Sequence, residues 1–142
     1  MHARTALRDQ GQERAQAGQS LTELPIVLVL FLVLTFGIVD AGRLIYAYNA
    51  VSLSAREGVR WAAVRGGTSG RTASKADIQD FVQSKTVGVP VTVDVSWLPD
   101  SNNQPGSTVV VTVTNPFAPI APLPLVPKTI KLASSSRMII SR

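Results

Sequence analysis

Two pairs of acidic residues are the side chains of this sequence that come nearest to a metal site. Asp77 and Asp80 lie three residues apart in a segment of helical character, and Asp94 and Asp100 flank a region rich in turn residues. Because Ca²⁺ takes about six to eight oxygen ligands, each pair supplies too few converging oxygens. Solvated helix and turn surfaces account for all four carboxylates. The sequence therefore predicts no metal site and no cofactor.

The residue types needed for covalent or acid–base catalysis are also scarce. The chain has no cysteine, and its one histidine, His2, lies in a polar N-terminal segment. A Ser-His-Asp arrangement therefore lacks a base in the folded part. The glycine-rich run 66–70 does not end in the Gly-Lys-Ser/Thr of a phosphate-binding loop, and no strand precedes it. We expect no enzymatic activity.

The net charge of +5 is spread thinly along the chain. The arginines between residues 43 and 71 fall at helix-like spacing and are interrupted by Glu57. A nucleic-acid interface needs a denser basic face with aromatic residues among the charges. We expect a solvated or headgroup-facing stripe instead, and no nucleic-acid partner.

Residues 24–39 are sixteen consecutive residues without a charge, rich in leucine, valine and isoleucine. As a helix this run is about 24 Å long, shorter than the roughly 30 Å hydrocarbon core of a bilayer. The apolar pattern continues past Asp40 and Arg43, which lie on one helical face and are predicted to pair. Tyr46 and Tyr48 suit an interfacial aromatic belt. The sequence thus predicts one membrane span, from about Leu21 to about Tyr46.

A secretory signal peptide is the main alternative for this segment. Signal peptides have an apolar stretch of about 7–15 residues that is followed closely by a small-residue cleavage site. Here the run exceeds that range, and the Asp-Ala-Gly-Arg of residues 40–43 leads into more helix without an A-x-A site. The pattern favours a retained membrane helix.

The helix is predicted to continue beyond the membrane as an amphipathic segment. Apolar residues recur at steps of three and four, which is one stripe of an α-helix, and Gly66-Gly67 marks the end. We therefore expect one helix from Ser20 to Arg65. The stripe comprises Leu44, Tyr48, Val51, Ala55, Val59 and Ala62.

The remaining sequence predicts a small domain that covers this stripe. Ser74 and Asp77 have the spacing of a capping box, ahead of a short helix. Residues 91–97 and 108–114 alternate between apolar and polar side chains, which predicts a hairpin with a ten-residue loop. The five prolines within 115–128 predict an extended surface crossing rather than a central strand, and 129–140 form a last strand. The fold class is α+β: a long N-terminal helix packed by a small antiparallel sheet of about three strands.

The residues that point to function lie at the mouth of the apolar run. Gly18 is followed five residues later by Glu23, behind a basic, polar segment 1–18 that is predicted to be disordered. A carboxylate near the hydrocarbon core is unfavourable unless it is paired. A helix-start carboxylate favoured by the macrodipole is the simpler explanation of Glu23 taken alone.

Residues 18–65 as a whole resemble the TadE-like family of tight-adherence (Flp) pilus assembly proteins. The matching features, in order, are G-Q-S-x-x-E, the apolar helix, G-I-V-D-A-G-R, the two tyrosines, and A-R-E-G-V-R-W-A-A. The resemblance covers about a third of the chain. Type IV pilins often have an aromatic residue after the glutamate, whereas this chain has Leu24 and then Pro25. The length and the β-rich tail fit a minor pseudopilin better than a short Flp pilin.

This resemblance implies three parts: a leader peptide (1–18), a membrane-spanning and amphipathic helix (19–65) and an extracytoplasmic α+β domain (66–142). It implies cleavage between Gly18 and Gln19 by a prepilin peptidase, and an assembly role for Glu23, whose carboxylate meets the free amine of a neighbouring subunit. The expected partners are the peptidase, other pilins or pseudopilins, the assembly platform and membrane lipid. The expected location is the bacterial inner membrane, with the N-terminus in the cytoplasm. The alternative is a single-pass, membrane-anchored binding module that is not part of a fibre.

Overall fold

The computed structural model describes the backbone of residues 3–121 and 127–141, and the side chains of those residues from Glu23 onward. It contains two helices and one antiparallel sheet with strand order β1-β2-β3, which confirms the predicted α+β class. The chain divides after Asp40 into two compact units; we call residues 41–142 the sheet unit. The elements are α1 (Ala3–Ala63), α2 (Lys75–Lys85), β1 (Thr92–Leu98), β2 (Thr108–Phe117) and β3 (Ile130–Ile139).

Helix α1 begins earlier than the sequence predicted. It starts at Ala3 rather than at Ser20, so residues 3–18 are helical and the prediction of a disordered tail was wrong for them. Residues 3–19 consist largely of alanine, arginine, glutamine and glutamate, which are among the strongest helix formers. Intrinsic propensity therefore favours a helix here, although the segment has no apolar face. The C-terminal end at Ala63 lies two residues before the predicted end.

Within the sheet unit, α1 contributes small side chains to the core. Val51, Ala55, Val59 and Ala62 are buried, so most of the predicted apolar stripe is confirmed. Tyr48 is the exception, because 57 % of its surface is exposed. The core also contains a close approach at Gly58: a Cβ atom placed there would lie 2.5 Å from Val82 Cγ2 and 3.3 Å from Val111 Cγ1.

The sheet presents one valine-rich face to this core. The predicted hairpin is confirmed: β1 and β2 pair antiparallel from Thr92↔Thr114 to Leu98↔Thr108, and β2 pairs with β3 along its full length. Alternate side chains of β1 and β2 are buried, as expected for strands with one covered face. They are Val93, Val95, Trp97, Val109, Val111, Val113, Asn115 and Phe117.

Helix α2 begins with the predicted capping box. The Ser74 hydroxyl accepts a hydrogen bond from the Asp77 N–H at 3.2 Å. In return, the Ser74 N–H donates to the Asp77 carboxylate at 2.9 Å. This backbone hydrogen bond, together with one from the Ser74 hydroxyl, lowers the pKa of Asp77. The helix then buries Ile78 and Val82 against the core, so Asp77 is a capping residue.

The proline-rich segment 115–128 differs in part from the prediction. Strand β2 continues through Asn115 and Pro116 to Phe117, although prolines were expected to exclude a central strand. Pairing with β1 ends at Thr114, so Pro116 lies where β2 has one neighbouring strand, opposite Lys131 of β3. A proline is tolerated at such a position because fewer ladder hydrogen bonds need its missing N–H. Residues 122–126 of the predicted extended crossing lie outside the described part.

The close approach at Gly58 predicts opposite outcomes for two glycines of one helix. Gly58→Ala overpacks the core, which typically destabilises by about 1–3 kcal/mol. At Gly42 an added Cβ atom would have no heavy atom within 4 Å, so Gly42→Ala keeps only the helix-propensity gain of up to about 1 kcal/mol. Both variants receive that gain. We therefore expect Gly58→Ala to unfold more readily than Gly42→Ala by about 1–3 kcal/mol.

Urea unfolding of the detergent-solubilised protein, followed by tryptophan fluorescence, measures this difference. Trp97 is part of the core cluster, and Trp61 packs against it. Equal midpoints for the two variants would show that Gly58 does not limit the helix–sheet approach.

Candidate functional site

The first unit carries an apolar surface that nothing in the described structure covers. Every large apolar side chain between Leu24 and Val39 is exposed, by 39 % to 74 %. A continuous apolar surface of this size marks contact with a membrane or a partner protein. Among the described residues, α1 is the one helix long and apolar enough to cross a membrane. The first unit is thus compatible with a single-pass membrane anchor.

Two residues, Thr35 and Pro25, alter the hydrogen bonding within this stretch of the helix. The Thr35 hydroxyl donates to the Phe31 carbonyl at 2.8 Å, so the hydroxyl is hydrogen-bonded within its own helix. Pro25 lies in the interior of α1. Because proline has no N–H, the carbonyl of residue 21 loses its helical partner. The helix is therefore locally weaker between the predicted cleavage site and the apolar run.

The structure places the three residues of the predicted cleavage and assembly site on one helix. Gly18 and Gln19 lie within the helical backbone of α1, and the Gln19 side chain is outside the described part. The Glu23 side chain is exposed at the start of the apolar surface. Among the residues whose side chains are described, none forms an ion pair with Glu23. Cleavage and assembly at these positions stay predictions.

Asp40 and Arg43, the predicted charged pair, lie three residues apart on α1. Asp40 is half-buried. The Arg43 guanidinium donates to the Ala118 carbonyl at 3.5 Å and lies 5.2 Å from the centroid of the Phe117 ring. Arg43 therefore holds the loop after β2 against α1, a role that the sequence did not suggest. Pairing between Asp40 and Arg43 stays a prediction.

The same end of the sheet unit contains a cleft of about 540 Å³. Its walls come from α1, from the loop between α2 and β1, and from the end of β2. Tyr46 closes one side, because its hydroxyl donates to the Val87 carbonyl at 3.1 Å. The lining residues include Arg43, Tyr46, Val89, Asn115, Phe117 and Ala118.

Asn115 supplies a buried polar group of this cleft. Its side-chain N–H donates to the Pro90 carbonyl at 2.6 Å, which ties β2 to the loop before β1. Its Oδ1 atom is buried without a hydrogen-bond partner among the described residues. The cleft combines apolar walls with the guanidinium of Arg43, and it is suited to binding an amphipathic group.

Sequence reasoning did not identify Asn115, Phe117 and Val87 as parts of a site. A usable signal was present for two of them: the alternation of Val109, Val111 and Val113 continues through Asn115 and Phe117. Pro116, which lies between these two residues, and Pro119 concealed this alternation. No sequence pattern singles out Val87, because the hydrogen bond that its carbonyl accepts comes from Tyr46, 41 residues earlier in the chain.

Comparison with known proteins adds one finding. Residues 18–60 match the family model described as TadE-like protein, which confirms the resemblance. The match spans the predicted cleavage site, the apolar surface and the part of α1 that lines the cleft, and it ends before the first strand. In general terms it supports a pilus-associated protein. No curated protein and no solved structure matches the chain significantly.

The exposed leucines of α1 provide a test of the membrane anchor. Leu30 and Leu34 are each 59 % exposed, and in the sheet unit Leu53 and Leu98 are 60 % and 52 % exposed. An arginine at the centre of a membrane helix costs about 2.5–3.5 kcal/mol. The double variant Leu30→Arg/Leu34→Arg should therefore lose most of its membrane-bound fraction after alkaline extraction. Leu53→Arg/Leu98→Arg should remain bound like the wild-type chain. Equal retention of the two double variants would contradict membrane anchoring by residues 24–39.

Proposed function

We propose that this chain, whose residues 18–60 match the TadE-like family, is a membrane-anchored minor pseudopilin. In this role it is a structural and assembly component of a tight-adherence (type IVb, Flp) pilus and a substrate of a prepilin peptidase. One observation carries the proposal: the uncovered apolar surface of residues 24–39 follows directly after the Gly18 to Glu23 motif. A pseudopilin needs these two features next to each other, because cleavage occurs at the membrane surface.

The proposed location is the bacterial inner membrane. The basic segment 1–18 stays on the cytoplasmic side, and the sheet unit lies outside the cytoplasm. Because arginines also follow the apolar run, the positive-inside rule discriminates weakly here. The orientation therefore rests on the family resemblance.

Cleavage between Gly18 and Gln19 creates the partner that Glu23 lacks. The new amine of Gln19 in one subunit pairs with the Glu23 carboxylate of its neighbour, at a depth where water is scarce. A charge at full membrane depth costs about 2.5–3.5 kcal/mol, and less near the interface. Pairing offsets this cost in the assembled state only, so it favours assembly over the free subunit.

The sheet unit supports a minor rather than a fibre-forming role. A three-stranded sheet with two helices is larger than the nearly all-helical body of a short Flp pilin. The proposed partners are other pilins or pseudopilins and the assembly platform. No catalytic step is assigned to the chain, which acts by binding alone.

A second function is favoured by the cleft beside Arg43. A membrane-anchored binding module, with no place in a fibre, would use the Arg43 guanidinium and the apolar walls to hold a ligand. Such a module has no need for leader cleavage. Processing at Gly18 therefore discriminates the two functions.

We expect a prepilin peptidase to remove residues 1–18. Co-expression of the chain with the peptidase should give a membrane protein that begins at Gln19, as measured by intact-mass spectrometry. Gly18→Val should block processing, because a branched side chain obstructs a bond at which glycine leaves the backbone accessible. Gly11→Val, in the same leader, is the matched control and should be cut normally. Recovery of intact Met1 from cells with active peptidase would favour the binding module.

Glu23→Ala should leave cleavage and membrane insertion unchanged but reduce co-purification with other pilus components. The control Glu57→Ala removes an exposed carboxylate of the sheet unit. It should leave cleavage, membrane insertion and co-purification unchanged. In a Gly18→Val background, Glu23→Ala should have no further effect, because the Gln19 amine is absent. This double-mutant cycle tests whether the effect of Glu23→Ala depends on cleavage. Equal losses in the cleaved and uncleaved backgrounds would contradict pairing with the amine.

A further inference from the structure

One end of the sheet unit exposes large apolar side chains around α1. We call this set the collar: Ile45, Tyr46, Tyr48, Val87 and Ile120. Each is between 55 % and 75 % exposed, with Val87 the most exposed. Val87 lies in the loop between α2 and β1, and Ile120 lies in the loop after β2. The segments next to these two residues carry no charge, since residues 86–90 read TVGVP and residues 118–121 read APIA.

Contacts with α1 fix the level of both loops along the helix. The Tyr46 hydroxyl donates to the Val87 carbonyl at 3.1 Å. The Arg43 guanidinium donates to the Ala118 carbonyl at 3.5 Å, two residues before Ile120. Both loops border the same cleft. They are therefore held beside residues 43–46 of the helix.

The sequence places residues 43–46 at the boundary of a bilayer. A helix needs about 20 residues to cross the hydrocarbon core, and twenty residues counted from Leu24 end at Arg43. The headgroup layer adds about 5–8 Å on each side, or about three to five helical residues. Tyr46 and Tyr48 fall within that layer. Loops bonded to Arg43 and Tyr46 fall within it as well.

From this coincidence we infer that the collar is a second membrane contact: Val87 and Ile120 insert into the interfacial layer of the phospholipid bilayer, beside Ile45 and the two tyrosines. This inference rests on the proposed membrane anchor. The absence of charge in residues 86–90 and 118–121 suits partial burial among acyl chains, and a guanidinium at this level suits lipid phosphate groups. The collar thus docks the sheet unit on the lipid surface, so that a single helix is not its only attachment.

Single-cysteine variants of the full chain test the inference, because the protein has no cysteine of its own. Val87→Cys and Ile120→Cys are labelled with an environment-sensitive fluorophore and reconstituted into phosphatidylcholine vesicles that contain a headgroup-nitroxide lipid. Val64→Cys and Ile139→Cys are matched controls, with 50 % and 64 % exposure. Val64 is 21 residues beyond Arg43 and directly follows α1, so it lies about 30 Å along the helix axis. Leu34→Cys with an acyl-chain nitroxide reports on the span.

We expect quenching at Val87 and Ile120 to exceed that at Val64 and Ile139 at least threefold, with Leu34 strongly quenched by the deep nitroxide. Equal, weak quenching at all four outer positions, with Leu34 still quenched, would overturn the collar and leave the anchor intact. Loss of quenching at Leu34 would overturn the anchor, and the collar with it. Protection of Val87 and Ile120 from both nitroxide and aqueous iodide, increasing with protein density, would identify a second copy of the chain as the occupant and overturn lipid docking.

Discussion

The close packing of α1 against the valine face of the sheet is the contact on which the rest of the sheet unit depends. Ala55, Gly58 and Ala62 have little or no side chain, so the helix backbone comes near Val82 of α2 and Val111 of β2. One helix surface thereby covers two elements at once. Without it, the inner face of the sheet would be exposed to water, because α2 is only 11 residues long. The helix that enters from the apolar run is therefore the main core element of the domain that follows.

The two parts of α1 meet different surroundings, and their side chains differ accordingly. Between Leu24 and Val39 the residues are large and apolar on all sides, as expected of a helix surrounded by lipid. From Ala47 onward the buried side chains are small, and the exposed side includes charged residues such as Arg56 and Arg60. Arg43 and Tyr46 lie at the change, and both hold loops of the sheet unit. The change in side-chain character along α1 thus coincides with the contacts that Arg43 and Tyr46 make with these loops.

Local patterns predicted the elements well, because each had a clear physical signal. The capping box of Ser74 and Asp77, the alternation in β1 and β2, and the stripe at Val51, Ala55 and Val59 all depend on short-range spacing. The errors came where two signals competed. Strong helix formers extended α1 to Ala3 against a polar pattern, and pairing with β3 kept Pro116 in a strand.

The candidate site was predictable only where it is continuous in sequence. The motif from Gly18 to Glu23 is local, so it could be found from spacing and resemblance. The cleft and the collar join residues 41 to 75 positions apart, through Tyr46 with Val87 and Arg43 with Ala118. No short-range pattern specifies such contacts. Tyr48, predicted on the buried stripe, is exposed, whereas its neighbour Ala47 is buried in one cluster with Phe117 of β2.

The proposed processing at the N-terminus is compatible with a stable sheet unit. All the buried apolar residues of the described part lie between Ala47 and Ile140, far in sequence from Gly18. Removal of residues 1–18 therefore takes no side chain from the described core. The change it makes is electrostatic, since it adds an amine close to Glu23. The proposed assembly role requires this combination, in which binding changes at the membrane surface while the sheet unit keeps its core.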